Sequence, residues 1–318
     1  MGAQGLGSRA IIGNFYNKLE TTATPWVGNL GFKIDSDQSS ETIKWLGQVP
    51  AMREFIGGRD AKGFSENGIT IVNKKFEATL EVLVDEIRRD KTGQVMVRIA
   101  ELAQRTNSHW ASLISTLILN GASGVCYDGQ YFFDTDHTEG KNSTNQSNKI
   151  TVDVSDSPVS PQGIYTSPSP EVMCHAIFQA IQTIYGFKDN ENEPLNETAS
   201  NFLVMVPTSY YAAAMGAANA LTFGSGGTNV LKAVQGKLNV DVITNPRLSA
   251  WTDKFAVFRT DGETKPFVLL EEEGVTMSAL AEGSEEEFKN ERHLYGVKAI
   301  RNVGYGMWQH ACQVTLVA

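Results

Sequence analysis

The chain has 318 residues, 41% of them hydrophobic and 20% charged, with a formal net charge of -9. That balance excludes a disordered or collagenous chain and a dedicated polyanion-binding surface, and no apolar run reaches the roughly 18 residues of a membrane-spanning helix. Residues 1–9 lack a basic-then-apolar leader pattern and read as non-secreted, and the widely spaced Cys126, Cys174 and Cys312 read as reduced thiols, not a disulfide framework or zinc module.

Ile11, Ile12, Phe15, Tyr16 and Leu19 recur at helical spacing and predict a short amphipathic helix over 8–21. From Thr24 to Asp37 the chain is polar and punctuated by Pro25, Gly28 and Gly31, which reads as an extended arm rather than a packed element. Residues 38–84 read as a long two-stranded excursion whose tip holds Gly57, Gly58 and Gly63. In its last stretch Phe76, Ala78, Leu80 and Val82 alternate with Glu77, Thr79, Glu81 and Leu83, the pattern of a half-buried strand. A lone hairpin is marginal in water, so either the chain's own body or a neighbouring copy must cover it.

From Asp90 the period turns helical. Val95, Ile99, Leu102, Ala103, Thr106, Trp110, Leu113, Ile114, Leu117 and Ile118 predict a helix over 94–119, with Asn107-Ser108 as a candidate bend. Asn120 to Gly124 stops it, and Cys126 to Phe133 reads as a hairpin around Gly129. Residues 139–170 are polar and loop-like apart from a strand at Ile150 to Val154. Ser169 is the expected N-cap, with Pro170 at the first position, of a helix buried through Val172, Ala176, Ile177, Ala180, Ile181 and Ile184. Strands are expected at 202–206, 240–244, 255–259, 266–270 and within 295–317, with a helix from Pro207-Thr208 to about Leu221. Helices and strands mix without a βαβ repeat, which gives an α+β class.

Catalytic signatures are scarce. There is no nucleophile elbow, phosphate-binding loop or dinucleotide fingerprint. Asp128, Asp134, Asp136 and His137 are the one cluster with metal-ligand residue types. An Asp-Thr-Asp-His string after a strand is also ordinary turn chemistry, and its spacing matches no established metal motif. Carboxylates gather late, at Glu271-Glu272-Glu273 and Glu285-Glu286-Glu287, whereas Arg53, Arg59, Lys62, Lys74 and Lys75 lie early. Such asymmetry marks a solvated face or pairs unlike ends of neighbouring copies. Trp26 and Trp45 sit where a monomer offers little core and are, with Phe55, candidate subunit contacts beside Arg53, Arg59, Lys62 and the 271–273 carboxylates.

The strings Trp45-Leu46-Gly47, Met52-Arg53-Glu54-Phe55-Ile56-Gly57, Asn73-Lys74-Lys75-Phe76-Glu77-Ala78-Thr79-Leu80, Cys126-Tyr127-Asp128-Gly129-Gln130 and Phe132-Phe133-Asp134 with Asp136-His137 resemble the major head proteins of Mu-like phages. The likeness continues through Asn201 to Pro207 and Asn245-Pro246 to the C-terminus, and these strings carry no catalytic motif. The resemblance implies a Hong Kong 97-type capsid fold. It implies an arm at 1–37, an extended loop at 38–84, a peripheral domain with its spine helix at 85–122, an axial domain at 123–290, and C-terminal strands at 291–318 returning to the peripheral domain. It further implies a non-enzymatic, cofactor-free subunit that assembles into hexamers and pentamers of an icosahedral head in the host bacterial cytoplasm. The expected partners are a scaffold or protease protein, a portal at one vertex, a decoration protein, and packaged double-stranded DNA held without sequence-specific binding, with no membrane. The competing readings are a metal-dependent hydrolase using Asp134, Asp136 and His137, and a tail-tube or neck protein.

Overall fold

The structure, a computed structural model, describes residues 7–21, 24–43, 68–90, 92–139, 142–155, 164–189, 192–224 and 226–317. In chain order the elements are α1 (Ser8–Thr21), α2 (Pro25–Leu30), β1 (Gly31–Asp35), β2 (Ser40–Ile43), β3 (Ile69–Val72), β4 (Lys74–Leu83), α3 (Val84–Arg89) and α4 (Gln94–Leu119). The short strands β5 (His137–Glu139), β6 (Asn142–Gln146) and β7 (Lys149–Asp153) lead to α5 (Pro170–Gly186), β8 (Asn201–Val206), α6 (Tyr211–Asn219) and α7 (Val230–Ala233). The chain closes with β9 (Asn239–Thr244), β10 (Lys254–Arg259), β11 (Phe267–Leu280), α8 (Glu285–Asn290), β12 (Arg292–Tyr305) and β13 (Ala311–Val317). No helix among the described residues is long and apolar enough to cross a membrane.

Two sheets carry the architecture, a four-stranded one in the order β1-β11-β12-β4 and a five-stranded one in the order β7-β13-β10-β8-β9. Strand β11, which starts at Phe267, pairs along the four-stranded sheet, and of the two C-terminal strands β12 lies in that sheet while β13 lies in the other.

Helix α4 is the axis on which both halves hang. It is continuous through Asn107-Ser108, and at about 1.5 Å per residue its 26 residues run nearly 40 Å. Its first half buries Val95, Ile99 and Ala103 with Ile11 and Phe15 of α1, Val82 of β4, Met277 of β11, and Tyr295 and Val297 of β12. Its second half buries Ala111, Ile114 and Ile118 in a separate, larger core that includes α5 and the five-stranded sheet. The expected bend site has another use: the Asn107 amide donates to the Leu19 carbonyl at 2.5 Å and ties the end of α1 to the helix.

Both ends of α4 are set by local chemistry. The Asp90 carboxylate accepts from the backbone N–H of Thr92, Gln94 and Val95 at 3.0–3.2 Å, and the bond from Val95 foremost holds its pKa below the usual range. At the other end two glycines are required by close approach: a Cβ on Gly121 would stand 2.4 Å from the Phe133 ring, and one on Gly124 would stand 2.3 Å from the Tyr305 hydroxyl. Tyr305 donates that hydroxyl to the Leu117 carbonyl at 2.9 Å, so β12 is fastened to the last turn of the helix.

The segment 24–37 departs from the extended arm expected of it. Pro25 opens α2 at its first turn, where a missing N–H costs nothing, and Leu30 is fully buried. Gly31 begins β1, which runs parallel to β11, and a Cβ there would come within 2.7 Å of Leu269. Pro25 and Gly31 are more than punctuation here: one starts a helix and the other admits a neighbour.

A buried polar network braces the five-stranded sheet. The Arg259 guanidinium bonds Asp261 at 2.7 Å, Asn196 at 2.9 Å and Thr198 at 3.2 Å. Asp261 also accepts from the Ser200 and Asn201 backbone, and Asn196 donates to the Ile184 and Gln309 carbonyls. Burial disfavours the Asp261 carboxylate, yet Arg259 and Ser200 outweigh it and hold the pKa at about 2. Ser169 caps α5 by accepting from the Val172 N–H at 3.3 Å, as the sequence predicts.

Gly124→Ala is expected to cost about 1–3 kcal/mol by forcing Tyr305 off its bond to the helix. Urea denaturation of the subunit checks this, and an unchanged midpoint would refute the close-approach account.

Candidate assembly surfaces

Described residues hold only the root of the 38–84 excursion. Strands β2 and β3 pair antiparallel from Ser40↔Val72 to Ile43↔Ile69, reinforced by a Thr42–Thr70 hydroxyl bond of 3.0 Å. The root is seated on β12: Ile71 is buried against Gly304, where a Cβ would approach within 2.4 Å, and Asn302 donates to the Val72 carbonyl at 2.7 Å. Strand β4 belongs instead to the four-stranded sheet, paired with β12 from Arg292↔Leu83 to Arg301↔Lys74. Trp45, Arg53, Phe55, Arg59 and Lys62 lie outside the described residues.

The other sequence-predicted contacts can be placed. Trp26 is half-buried on α2 and packs against the larger core. Glu271 forms an ion pair with Lys33, and Glu273 pairs with Lys298 at 2.6 Å. The bond from Lys298 lowers the Glu273 pKa, and the bond to Glu271 raises that of Lys33. The ladder skips from Glu271↔Arg301 to Glu273↔Ile300, so Glu272 is the extra residue of a β-bulge and is exposed. Two of the three carboxylates are thus engaged within the chain, and Glu272 is the one turned outward.

The Asp128, Asp134, Asp136 and His137 cluster is structural. His137 is fully buried, with Nδ1 2.6 Å from the Asp128 carboxylate and its ring stacked on Trp308 at 3.9 Å. Asp134 instead caps its own turn by accepting from the Tyr131 and Thr135 N–H groups at 3.1 and 2.8 Å. Its hydrogen bond with Asp136 pushes the Asp136 carboxyl up. Among the described residues no group of three or more His, Cys, Asp or Glu side chains is placed to hold a metal ion. The three cysteines are free and buried.

Two surface features carry no motif in the sequence. Between β4, at the edge of its sheet, and α4 lies a groove of about 370 Å³ with Phe76, Leu102, Val297 and Ala299 on its walls. Arg301 reaches under it from β12: its Nε donates to His109 Nδ1 at 3.1 Å, its Nη2 donates to the Thr106 carbonyl at 3.0 Å, and its guanidinium lies 4.7 Å over the Trp110 ring. A cation buried to 3% exposure is here satisfied by neutral acceptors and an aromatic face. The second feature is the tip of the β11–β12 hairpin, where α8 carries Phe288 in open solvent. Its one mark in the sequence is a lone aromatic beside a run of carboxylates.

His109 must stay neutral to accept from Arg301. Burial, then the charges of Arg301 and Arg247, push its pKa down from 6.5 to about 4, and burial does the same for His310. A base depressed in the fold binds fewer protons than the unfolded chain. Its contribution is therefore complete above pH 6.5 and lost as pH falls through about 4. Urea midpoints of the subunit should fall across this window, and His109→Gln, which keeps an acceptor for Arg301 but no longer titrates, should flatten part of the slope. An unaltered slope in the variant would count against the assignment.

The family model described as Mu-like prophage major head subunit gpT matches residues 8–159 and 235–316. Over 123 residues the chain is 35% identical to the Mu-like prophage FluMu major head subunit of Haemophilus influenzae, covering 39% of this chain and 40% of the relative. Over 124 residues it is 30% identical to the major capsid protein of Escherichia phage Mu, again 39% and 40% of the two chains. The matched segment thus spans about 40% of the length of these curated relatives. Among solved structures, a subunit from the procapsid of bacteriophage JBD30 matches with a TM-score of 0.57 at 22% identity, over 97% of this chain and 73% of that one. The virus-like particle from Pyrococcus furiosus matches with a TM-score of 0.53 at 11% identity, over 96% and 97%.

Proposed function

The chain belongs to the Mu-like prophage major head subunit family, and from that membership we propose that many copies of it build the closed icosahedral shell of a phage or prophage head around double-stranded DNA. Its fold is the Hong Kong 97-type α+β capsid fold. The observation that carries the functional reading is the family match over both the N-terminal half and the C-terminal strands, joined to a body built on one long helix. The family is a structural one, and His137 and Asp128, the nearest approach to a catalytic pair, are consumed by packing.

In this reading α1 and α2 belong to the arm region of 1–37, with β1 anchoring it in the four-stranded sheet, and the extended loop of 38–84 rises from its β2–β3 root while β4 returns the chain to that sheet. Helix α4 with the four-stranded sheet forms the peripheral unit, and the five-stranded sheet with α5 and α6 forms the axial unit. Hexamers and pentamers of the chain close the shell, with a scaffold or protease protein during assembly, a portal at one vertex and a decoration protein outside. Packaged DNA is enclosed without sequence-specific contact, consistent with the net charge of -9. The excursion gains burial on a neighbour at roughly 25 cal/mol per Å², and repetition over a closed lattice makes individually weak contacts collectively strong.

Trp26, Trp45, Phe55, Arg53, Arg59 and Lys62 are assigned to contacts between copies, with Glu272 the acceptor among the 271–273 carboxylates because Glu271 and Glu273 already have partners. Expression with the scaffold protein should give closed particles by sedimentation and electron microscopy, and a stable small oligomer without shells would overturn the reading. Arg59→Glu should reduce particle yield severalfold and change its salt sensitivity; wild-type yield and salt response would remove Arg59 from the interface.

A further inference from the structure

The end of the β11–β12 hairpin is an aromatic knob on an acidic base. Phe288 is 89% exposed, and α8 buries none of its residues. The surrounding stretch 281–293 holds five carboxylates, Glu282, Glu285, Glu286, Glu287 and Glu291, against the cations Lys289 and Arg292. Glu285 pairs with Lys289, Glu286 with Arg292 and Glu287 with His293, and Glu282 accepts from the Ser8 N–H, so what the tip offers a partner is its net acidic charge. The base is rigid: Ser284 caps α8 through the Glu287 N–H at 3.2 Å, and Glu286 bonds Arg292 at 2.8 Å. A single exposed apolar residue is ordinary on a protein surface. What makes this one informative is a complementary hollow elsewhere on the same chain.

That hollow is the groove between β4 and α4, with room for one aromatic ring between Phe76, Leu102, Val297 and Ala299. Its charge is of the opposite sign. Arg105 stands exposed at the rim with no ion pair among the described residues, and Arg301 lies beneath with neutral partners, against the single carboxylate of Glu77. The groove spans the 76–79 and 297–301 registers of the sheet, whereas α8 closes the hairpin beyond Leu280 and Leu294, and the exposure of Phe288 shows that the chain does not fill its own groove.

We propose that Phe288 of one copy inserts into the β4–α4 groove of a second copy, with the α8 carboxylates facing Arg105. The pairing joins unlike patches of identical subunits, a heterologous contact, and such contacts propagate into rings and larger arrays rather than stopping at a dimer. The inference rests on the shell reading above and names one contact within it.

Two measurements on the full chain test it. Phe288→Ser should leave the thermal midpoint of the isolated subunit unchanged, because the ring touches little within the chain, while lowering shell yield at least tenfold. The double variant Glu285→Cys with Arg105→Cys keeps the knob and should give covalently linked copies with a short thiol cross-linker, where either single variant does not; Cys126, Cys174 and Cys312 are buried and do not compete. Shells that form normally yet give no linked species overturn the contact, whatever Phe288→Ser does. If the unaltered chain forms no shells, the shell reading fails instead. Cross-linking of the concentrated soluble subunit then decides the contact, which stands if linked copies appear and falls if they do not.

Discussion

One helix buried in two separate cores is the constraint on which the rest of the structure depends. The first half of α4 packs with α1 and the far ends of β4, β11 and β12, and the second half packs with α5 and the five-stranded sheet. Between the two halves sits the polar interruption formed by His109 and Arg301. A helix of ordinary length could serve one core or the other. Because this one serves both, any displacement of α4 is felt in both sheets at once, and its two ends are accordingly fixed by Asp90 and by the glycine-mediated contacts with Phe133 and Tyr305.

The buried polar groups sit where elements remote in sequence must be brought together. Arg259 and Asp261 join the end of β10 to the loop before β8, Asn196 extends that network to the end of α5 and to Gln309, and His137 links Asp128 to Trp308. The hydrogen bonds and the ring stack of these groups are made in one arrangement of the loops, which they therefore specify. This accounts for the chemistry-bearing residue types of the 128–137 segment without invoking a reaction.

What the monomer leaves exposed agrees with a life among copies. The hairpin root is well seated on β12, while β4 stands at the edge of its sheet beside an apolar groove, and Phe288 projects from the opposite end of the same sheet. Edge strands and exposed aromatics are liabilities in a soluble monomer and become useful in a subunit whose neighbours are always present. The acidic surplus near α8 favours contact with a basic rim over unguided hydrophobic association.

Local apolar spacing and capping chemistry alone determined α1, α4, α5 with its Ser169 cap, β4, β8 and β10, which all lie where those signals put them. Family-typical strings such as those around Phe76 and Cys126 carried the identity. Only the tertiary structure decided the pairings. The parallel register of β1 on β11, the split of β12 and β13 between sheets, and the engagement of Glu271 and Glu273 with Lys33 and Lys298 all join residues far apart in the chain. The same holds for His137, whose partner Trp308 lies at the other end of the sequence, and for Gly31, Gly121 and Gly124, which look like punctuation until a neighbouring side chain is seen in the space a Cβ would occupy. Local sequence encodes backbone preference and which face is apolar; which surface that face meets is set by packing among distant segments, and no window of neighbouring residues contains it.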